Sequence, residues 1–288
     1  MKERTLYISD LDGTLLAPDG RLSQSSVTLL NHAVSRGALI SVATARTPAT
    51  VSILLKDVDL RIPLVVMTGV ALWDKNTGRY SDVQYFHPSQ VREITEAYRR
   101  PEGAGGFLYT LEARADGRDM MRIYHVGPLN EVERGFMLER ISSPYKKFEV
   151  PEKGQSDLPD TIKDAVLFFG MRPNAVAEEI RSGLMRVKDI NPMFYHDWYG
   201  GEIAEVEAFP EGATKAKAIG RLKRMTGATR VVVFGDNTND LSMMRMADWS
   251  VAVGNAIDEV KQAADEVIGT NEADAVARFI LEDMNLGR

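Results

Sequence analysis

A short apolar strand near the start of the chain runs directly into two acids: Thr5-Leu6-Tyr7-Ile8-Ser9, then Asp10-Leu11-Asp12-Gly13-Thr14. Side chains two residues apart share a face of extended chain, so we expect Asp10 and Asp12 to lie together where this strand ends. Two neighbouring carboxylates repel each other unless a cation or a shared proton compensates them. The stretch predicts a buried strand that presents an acidic site, although an isolated Asp-x-Asp-Gly is better explained as a polar turn.

Strand-like and helix-like segments alternate outward from this stretch. Strands are predicted at residues 5–9, 39–43, 64–67, 230–234, 250–253 and 266–268, with a hairpin around residues 75–78. Helices are predicted at residues 24–36, from 48 onward, and at 213–225, 239–246, 257–264 and 272–282. Such alternation implies right-handed crossovers and a parallel sheet that is covered on both faces. We therefore predict an α/β fold with a doubly wound, Rossmann-like core.

The middle of the chain has a different order of elements. Helices are predicted at residues 88–100, 130–141 and 174–187, and strands at 107–111, 120–125, 165–170, 193–198 and 202–207. A polar, proline-rich loop is predicted at residues 142–161. We therefore predict an inserted α+β domain at residues 82–200, between two core segments at residues 1–81 and 201–288.

The amino-acid composition limits which binding partners and which kinds of catalytic or metal-binding chemistry are expected. A chain of 288 residues suits two domains of ordinary size. A net charge of -6 and a pI of 5.4 make nucleic acid and anionic lipid unexpected partners. The absence of cysteine excludes disulfides, zinc–thiolate sites and thiol nucleophiles. The first ten residues lack the apolar segment of a signal peptide and the apolar runs are too short for a membrane span, so the cytoplasm is expected.

Two cationic segments lie where ligands bind in an open α/β sheet, at the carboxyl ends of strands. Thr44-Ala45-Arg46 follows the second strand, and its hydroxyl, backbone amides and guanidinium predict an anion site. A capping threonine beside a surface arginine is the alternative. Lys215 lies in the first turn of a predicted helix, where a cation opposes the helix dipole unless an anion is bound. A solvated lysine is the alternative there.

An acidic, amide-rich turn follows the strand at residues 230–234: Gly235-Asp236-Asn237-Thr238-Asn239-Asp240. Its oxygen donors suit a hard cation. Ordinary turn chemistry with Asn239 as a helix N-cap is compatible with the same residues. Each signal is modest alone, but all of them fall at one edge of the predicted sheet, and this shared placement indicates an active site.

Together these motifs resemble the haloacid dehalogenase superfamily, and within it the Cof-type phosphatases with a large α+β cap of type IIB. The resemblance covers nearly the whole chain. Residues 10–15 are similar to the first family motif, 43–46 to the second, Lys215 to the third, 235–240 to the fourth and 251–256 to the segment that follows it. The chain departs from the family pattern at three positions, where it has Ala45 for glycine, Thr68 for asparagine and Ala275 for glycine.

The resemblance implies a Mg²⁺-dependent phosphomonoester hydrolase that acts on a small phosphorylated metabolite, with a sugar phosphate as the first expectation. Asp10 would be the nucleophile that forms an aspartyl-phosphate. Asp12 would act first as general acid and then as general base. Mg²⁺ would be held by Asp10, by the backbone carbonyl of Asp12 and by Asp236.

The resemblance also implies which groups hold the phosphoryl oxygens: the N–H groups of Leu11 and Ala45, and the side chains of Thr44, Lys215 and Asn239. Asp240 would either ligate Mg²⁺ through water or orient Lys215. Arg46 would contact the substrate or support the structure. The insert would be a cap that supplies specificity, and its aromatic stretch at residues 193–201 either reaches the substrate or simply alternates between core and surface.

Two alternatives stay open at the level of sequence. A phosphomutase or phosphotransferase on the same fold would use the same acid pair and pass the phosphoryl group to a sugar hydroxyl. A non-catalytic protein that binds phosphate and Mg²⁺ is the second alternative. No obligate protein partner is expected.

Overall fold

The computed structural model of the chain describes residues 4–115, 117–150, 158, 162–198 and 201–286. The chain divides into two compact units, Met1–Asp82 with Thr214–Arg288, and Val83–Ala213. The predicted boundary at residues 200 and 201 lies earlier than this division. The reason is that Ile203–Pro210 pairs with Ala165–Pro173 and Ile190–Trp198, and so belongs to the sheet of the second unit.

The first segment of the first unit follows the predicted alternation. Its elements are β1 (Thr5–Ser9), α1 (Gln24–Ser35), β2 (Leu39–Val42), α2 (Pro48–Leu54), β3 (Leu64–Val66), β4 (Ala71–Asp74) and β5 (Arg79–Ser81). The side chain of Ser23 caps α1 by accepting a hydrogen bond from the backbone N–H of Ser26. The predicted hairpin is present as the antiparallel pair β4–β5.

The second unit is an α+β domain. Its elements are α3 (Pro88–Ala97), β6 (Gly106–Glu112), β7 (Met120–Val126), α4 (Glu131–Leu138), β8 (Lys146–Phe148), β9 (Ala165–Pro173), α5 (Asn174–Leu184), β10 (Ile190–Trp198) and β11 (Ile203–Pro210). The described strands form one sheet in the order β10-β11-β9-β6-β7-β8. Side chains of α3 and α5 pack with Leu108, Phe168 and Val206 in its core.

Two predictions for this unit need correction or restriction. The loop predicted at residues 142–161 contains strand β8, which pairs in parallel with β7 through long-range hydrogen bonds. Another part of that loop, residues 151–157 and 159–161, lies outside the described residues. Residues 199 and 200 of the aromatic stretch, and the side chains of 196–198, also lie outside them.

A buried ion network ties the sheet of the second unit to α4; we call it the Glu133 network. Glu133 Oε2 accepts a hydrogen bond from Arg172 Nη2 at 2.6 Å and lies 3.0 Å from His125 Nε2. Glu133 Oε1 accepts a hydrogen bond from the backbone N–H of Met171 at 3.1 Å. Arg172 also donates to two backbone carbonyl oxygens, at 3.1 and 2.8 Å. Charge and hydrogen bonds are therefore balanced within the network.

The last segment completes the first unit. Its elements are α6 (Lys215–Thr226), β12 (Arg230–Gly235), α7 (Leu241–Met244), β13 (Trp249–Ala252), α8 (Asp258–Ala263), β14 (Glu266–Val267) and α9 (Ala275–Leu286). The described strands form a parallel sheet in the order β14-β13-β12-β1-β2. The predicted α/β fold with a parallel-sheet core is confirmed. Within the described ranges, no helix is long and apolar enough to cross a membrane.

The placement of β1 in the sheet positions the site. Consecutive residues of β12 at positions 231–234 are fully buried, so both faces of the sheet are covered, as is typical of parallel strands. Ser9, the last residue of β1, pairs with Phe234 of β12 and with Val42 of β2. The residues that follow these three strands therefore meet at one edge of the sheet.

Helix starts differ from the predictions by two residues or more at three places in this unit. Helix α6 begins at Lys215 because the side chain of Thr214 caps it by accepting a hydrogen bond from the N–H of Lys217. Helix α7 is preceded by a separate turn at Thr238–Asp240. Helix α9 starts only after Asp274, which adopts a φ of +56° and so interrupts the predicted helix at residues 272–282.

Candidate active site

Asp10 lies directly after β1 and is 6% exposed. Its backbone N–H donates to the carbonyl oxygen of Phe234 at 3.0 Å, which fixes the main chain against β12. Its Oδ1 accepts a hydrogen bond from Lys215 Nζ at 2.6 Å. Burial raises the pKa of the Asp10 carboxyl to about 7, and the neighbouring Lys215 ammonium acts in the opposite direction. Asp10 is thus a buried carboxyl with one oxygen held by a cation.

Lys215 bridges two buried acids from the start of α6. Its Nζ donates to Asp240 Oδ1 at 2.8 Å as well as to Asp10. The other oxygen of Asp240 accepts hydrogen bonds from the backbone N–H groups of Asp236 and Asn237, at 3.1 and 3.3 Å. Burial lowers the pKa of Lys215, but the attraction of Asp10 and Asp240 outweighs it, so the pKa is raised. The direct contact supports the expectation that Asp240 orients Lys215.

Asp236 is half-buried where β12 ends. Its Oδ1 accepts a hydrogen bond from Thr14 Oγ1 at 2.8 Å. Burial raises the pKa of Asp236, and the hydrogen bond from Thr14 opposes that effect. Gly13 has a φ of +78°, and a Cβ atom there would lie 2.3 Å from Asp236 Oδ2. Only glycine lets the turn after β1 pass this close to the carboxylate.

Asp10, Asp236 and Asp240 form a cluster whose oxygens lie within 4.8 Å of one another. With Lys215 we call these residues the carboxylate cluster. Three carboxylates and one ammonium leave an excess of negative charge that a divalent cation would compensate. Within the described residues, Asp10 Oδ2 and Asp236 Oδ2 accept no hydrogen bond, so an oxygen of each is open. This donor set fits a hard cation such as Mg²⁺.

Asp12 faces a different partner from Asp10. Its carboxylate accepts two hydrogen bonds from Arg46, from Nε to Oδ2 at 2.7 Å and from Nη2 to Oδ1 at 2.6 Å. The hydrogen bond to Asp12 raises the pKa of Arg46. The side chains are 52% and 34% exposed, respectively. Asp12 also borders a surface cavity of about 460 Å³ whose wall includes Asn255 and Asn271.

The remaining predicted phosphate ligands contribute in different ways. Thr44 is buried after β2, and its N–H donates to the carbonyl oxygen of Val65 at 3.0 Å. Its Oγ1 accepts a hydrogen bond from the backbone N–H of Arg46 at 3.1 Å. Ala45 between them is exposed, whereas the side chain of Leu11 is fully buried. The side chain of Thr44 is therefore hydrogen-bonded to the backbone of Arg46. The backbone N–H groups of Leu11 and Ala45 remain predicted ligands of the phosphoryl oxygens.

Asn239 is not the helix cap that its position predicts. The side chain of Asn237 accepts a hydrogen bond from the N–H of Thr238 at 2.8 Å, and so caps the turn at Thr238–Asp240. Asn239 is exposed inside that turn, and its side chain makes no hydrogen bond to another described residue. Asn239 is thus next to Asp240 in the chain, but its side chain makes no hydrogen bond to the described residues of the carboxylate cluster.

Thr68, one of the departures from the family pattern, lies in a tight turn after β3. Its φ is +57°, and its N–H donates to the carbonyl oxygen of Thr44 at 2.9 Å. Gly69 follows with a φ of +101°, and a Cβ atom there would lie 2.3 Å from the carbonyl oxygen of Thr214. The turn therefore packs against the segment that leads into α6 and Lys215.

Two asparagines support the turn after β1: Asn255, which lies in the family-like segment 251–256 but was given no role there, and Asn271, which the sequence did not single out. Asn255 Nδ2 donates to the carbonyl oxygen of Gly13 at 2.7 Å, and its Oδ1 accepts a hydrogen bond from the N–H of Asn271 at 3.0 Å. Asn271 Nδ2 donates to the carbonyl oxygen of Leu16 at 2.7 Å. Asn255 lies shortly after β13, so the same strand-end rule that located Asp10 would have found it.

A family model ties these features to known proteins. The family described as haloacid dehalogenase-like hydrolase matches residues 7–280. The chain belongs to this family. The match extends from β1 to α9 and therefore includes every predicted site residue.

Three relatives illustrate the range of this family. The 5-amino-6-(5-phospho-D-ribitylamino)uracil phosphatase YitU of Bacillus subtilis is 25% identical over 287 residues, which cover 98% of each chain. The pyridoxal phosphate phosphatase YbhA of Escherichia coli is 25% identical over 275 residues, 94% of this chain and 95% of its own. The solved structure of the HAD subclass IIB sugar phosphatase BT4131 has the same fold, with a TM-score of 0.66, 21% identity and 99% coverage of both chains. These relatives support a phosphatase as the class of enzyme.

Proposed function

We propose that this protein is a Mg²⁺-dependent phosphomonoester hydrolase that works through an aspartyl-phosphate on Asp10. The observation that carries the proposal is the carboxylate cluster. Asp10 is buried, one of its oxygens is held by Lys215, and its second oxygen accepts no hydrogen bond from another described residue. A carboxylate held in this way is oriented for attack without being blocked.

In the first step Asp10 attacks phosphorus. A new bond forms between a carboxylate oxygen of Asp10 and phosphorus, and the bond from phosphorus to the leaving oxygen breaks with its electron pair. Asp12 gives its proton to that oxygen, so the alcohol leaves neutral. The ammonium of Lys215 lies 2.6 Å from Asp10 and is placed to stabilise the charge on the transferring phosphoryl group.

In the second step water releases the phosphate. The oxygen of water forms a bond to phosphorus while the bond between phosphorus and Asp10 breaks, and the electron pair returns to the Asp10 carboxylate. Asp12, now ionised, accepts the proton of the water. Thr44, Asn239 and the amides of Leu11 and Ala45 are the proposed further contacts of the phosphoryl oxygens.

Asp10, Asp236 and the backbone carbonyl of Asp12 would hold Mg²⁺. When bound, the cation would neutralise the excess charge of the carboxylate cluster and polarise the phosphoryl group. Asp240 is committed to Lys215 and to two backbone amides, so we propose that it orients the lysine.

We propose a small phosphorylated metabolite as substrate, with a sugar phosphate first. The support is the set of relatives, whose names specify a phosphoribitylamino-uracil, pyridoxal phosphate and a sugar. The second unit, Val83–Ala213, is the proposed determinant of which ester is cleaved. A cytoplasmic location and the absence of a required protein partner stay predictions.

Phosphate release from p-nitrophenyl phosphate, with Mg²⁺ and with excess EDTA, tests this proposal. We expect release that requires the metal and that is lost in Asp10→Asn. A panel of sugar phosphates, pyridoxal phosphate and phosphorylated ribitol compounds then ranks the substrates. Absence of free phosphate, with a phosphorylated acceptor formed instead, would replace hydrolysis by phosphoryl transfer. If folded protein formed neither free phosphate nor a phosphorylated acceptor, the proposed enzymatic activity would be refuted.

A further inference from the structure

A guanidinium–carboxylate pair stands at the edge of the sheet beside the carboxylate cluster. Arg46 donates to both oxygens of Asp12, at 2.7 and 2.6 Å. Within the part of the chain that the structure describes, the Asp12 carboxylate accepts no other hydrogen bond. A two-point contact fixes the plane of a carboxylate as well as its position, which a single ammonium contact does not do.

The backbone that carries each partner is itself anchored. The N–H of Arg46 donates to Thr44 Oγ1, and its carbonyl oxygen accepts a hydrogen bond from the N–H of Met67 at 3.1 Å. On the other side, the carbonyl oxygen of Gly13, next to Asp12, accepts a hydrogen bond from Asn255 Nδ2. The relative position of the two side chains is therefore set by the fold, which is how a preorganised group is held.

Stability accounts for only a small part of this arrangement. The side chains of Asp12 and Arg46 are 52% and 34% exposed, and ion pairs this open to water contribute about 0–1 kcal/mol. The buried ion pair between Lys215 and Asp240 already connects α6 to the turn after β12. What the pair with Arg46 adds is the orientation of Asp12.

We propose that Arg46 is a positioning residue for Asp12, one that aims its carboxyl at the leaving oxygen of the substrate. This inference rests on the proposed function. When the bond from phosphorus to the leaving oxygen breaks, the electron pair goes to that oxygen. Asp12 takes up a proton from solvent on one oxygen before this step, keeps the other oxygen on Arg46, and gives that proton to the leaving oxygen. Without Arg46 the side chain of Asp12 rotates freely and the proton is delivered less often in the productive geometry.

The loss must then depend on the leaving group. Phenyl phosphate and p-nitrophenyl phosphate have nearly the same shape, but p-nitrophenolate leaves readily without a proton and phenolate does not. We measure kcat and KM for both esters at saturating Mg²⁺, with wild type, Arg46→Gln, Asp12→Asn and the double variant. We expect Arg46→Gln to lose about 10–100-fold more in kcat/KM on phenyl phosphate than on p-nitrophenyl phosphate, because kcat/KM reports the step in which the leaving oxygen departs, whereas kcat also includes the hydrolysis step that both esters share. In the Asp12→Asn background, Arg46→Gln should not change the ratio further.

Two further variants control this test. Arg61→Gln removes an exposed arginine of the same unit, paired with Asp59 at 3.0 Å, and should leave both rates at the wild-type level. Arg46→Lys keeps the charge without the two-point contact, and should restore only part of the phenyl phosphate rate. Thermal unfolding of each variant verifies that the fold is intact.

Different failures separate the two proposals. Equal losses on both esters with a raised KM, repeated in the Asp12→Asn background, would make Arg46 a ligand of the phosphoryl group and overturn the positioning role alone. A wild-type protein that releases phosphate from neither ester would overturn the proposed function, and the positioning role with it.

Discussion

Each unit buries a cation against an acid, and the two units use this pairing differently. In the Glu133 network of the second unit, Glu133 is met by Arg172, by His125 and by the N–H of Met171, so both of its oxygens are occupied. In the carboxylate cluster of the first unit, Lys215 donates to two carboxylates, and one oxygen of Asp10 accepts no hydrogen bond from any residue that the structure describes. The first arrangement is closed to ligands, whereas the second has charge left to be compensated.

This difference separates a structural ion network from a reactive one. Breaking a buried, balanced pair leaves an uncompensated charge in the interior and is strongly destabilising. Removing one acid from a cluster with excess negative charge relieves repulsion, so it should leave the fold intact and affect the chemistry. Variants of the two units should therefore divide between stability and activity.

The largest effect is expected from Asp10→Asn. Because the amide cannot act as the nucleophile, turnover should fall by more than about a thousand-fold. The melting temperature should not drop, since a buried carboxyl with a raised pKa is removed. Steady-state phosphate release and thermal unfolding measure both properties, with Asp59→Asn on the exposed surface as the control. Near-wild-type turnover in Asp10→Asn would place the nucleophile elsewhere.

Glu133→Gln is the matching change in the second unit. It leaves Arg172 charged and unpaired in the interior, so the free energy of unfolding should fall by about 3–5 kcal/mol. Turnover per folded molecule on p-nitrophenyl phosphate should change little. Chemical denaturation measures the first, with Glu139→Gln as control, because Glu139 forms an exposed pair with Arg140. A stability loss equal to that of Glu139→Gln would refute the structural role.

Gly13→Ala tests whether the position of the Asp236 carboxylate in the carboxylate cluster matters for Mg²⁺ binding. The added methyl group would lie 2.3 Å from Asp236 Oδ2 and must displace that carboxylate. We expect the Mg²⁺ concentration for half-maximal activity to rise by about 10–100-fold. Gly20→Ala is the matched control, because Gly20 has a similar φ of +73° but a methyl group added there would meet no atom within 4 Å. An equal shift in both variants would indicate backbone strain instead of displacement.

The last comparison concerns Lys146, a buried cation of the second unit that belongs to neither arrangement. Burial, and secondarily Arg140, lowers the pKa of Lys146 to about 7. The folded state therefore releases this proton more easily than the unfolded state, whose lysine pKa lies near 10.5. The destabilisation is complete below pH 7 and disappears as the pH rises from 7 to 10.5.

Lys146→Met keeps the aliphatic volume and removes the charge. Its melting temperature should exceed that of the wild type by about 2–4 °C for each kcal/mol recovered at pH 7 and below, and the gain should shrink toward pH 10.5. Thermal unfolding across this pH range measures it. Lys147→Met, at the neighbouring exposed position, should show no such pH-dependent gain. A gain that is independent of pH would point to packing instead of charge.

The sequence was sufficient to bring Asp10 and Asp236 of the carboxylate cluster together because both residues follow the ends of neighbouring parallel strands. Asp10 comes directly after β1 and Asp236 directly after β12, and these two strands pair. The parallel-sheet core is confirmed for the same reason: alternation of strands and helices is a local pattern. The chemical roles of Asp10, Asp12 and the other predicted site residues remain predictions.

Features that depend on distant partners or on competing side chains were not predictable. Strand β8 is three residues long and exists because it pairs with β7, which no local pattern reveals. Asn239 is a residue type that often caps helices, but the side chain of Asn237 caps the turn instead. The carboxylate of Asp240 accepts a hydrogen bond from the backbone N–H of Asn237. The pairing of β11 with β9 likewise moved the boundary of the second unit beyond residue 201.

The first unit is built from two segments of the chain that are separated by the second unit, and this order determines when the site can form during synthesis. Asp10 and Lys215 are 205 residues apart in the chain, with the whole of the second unit between them. During synthesis the second unit is therefore complete before the ribosome has added the lysine, and β1 has no β12 to pair with until later still. A nascent chain that stops short of β12 lacks the carboxylate cluster, so it cannot carry out the proposed hydrolysis.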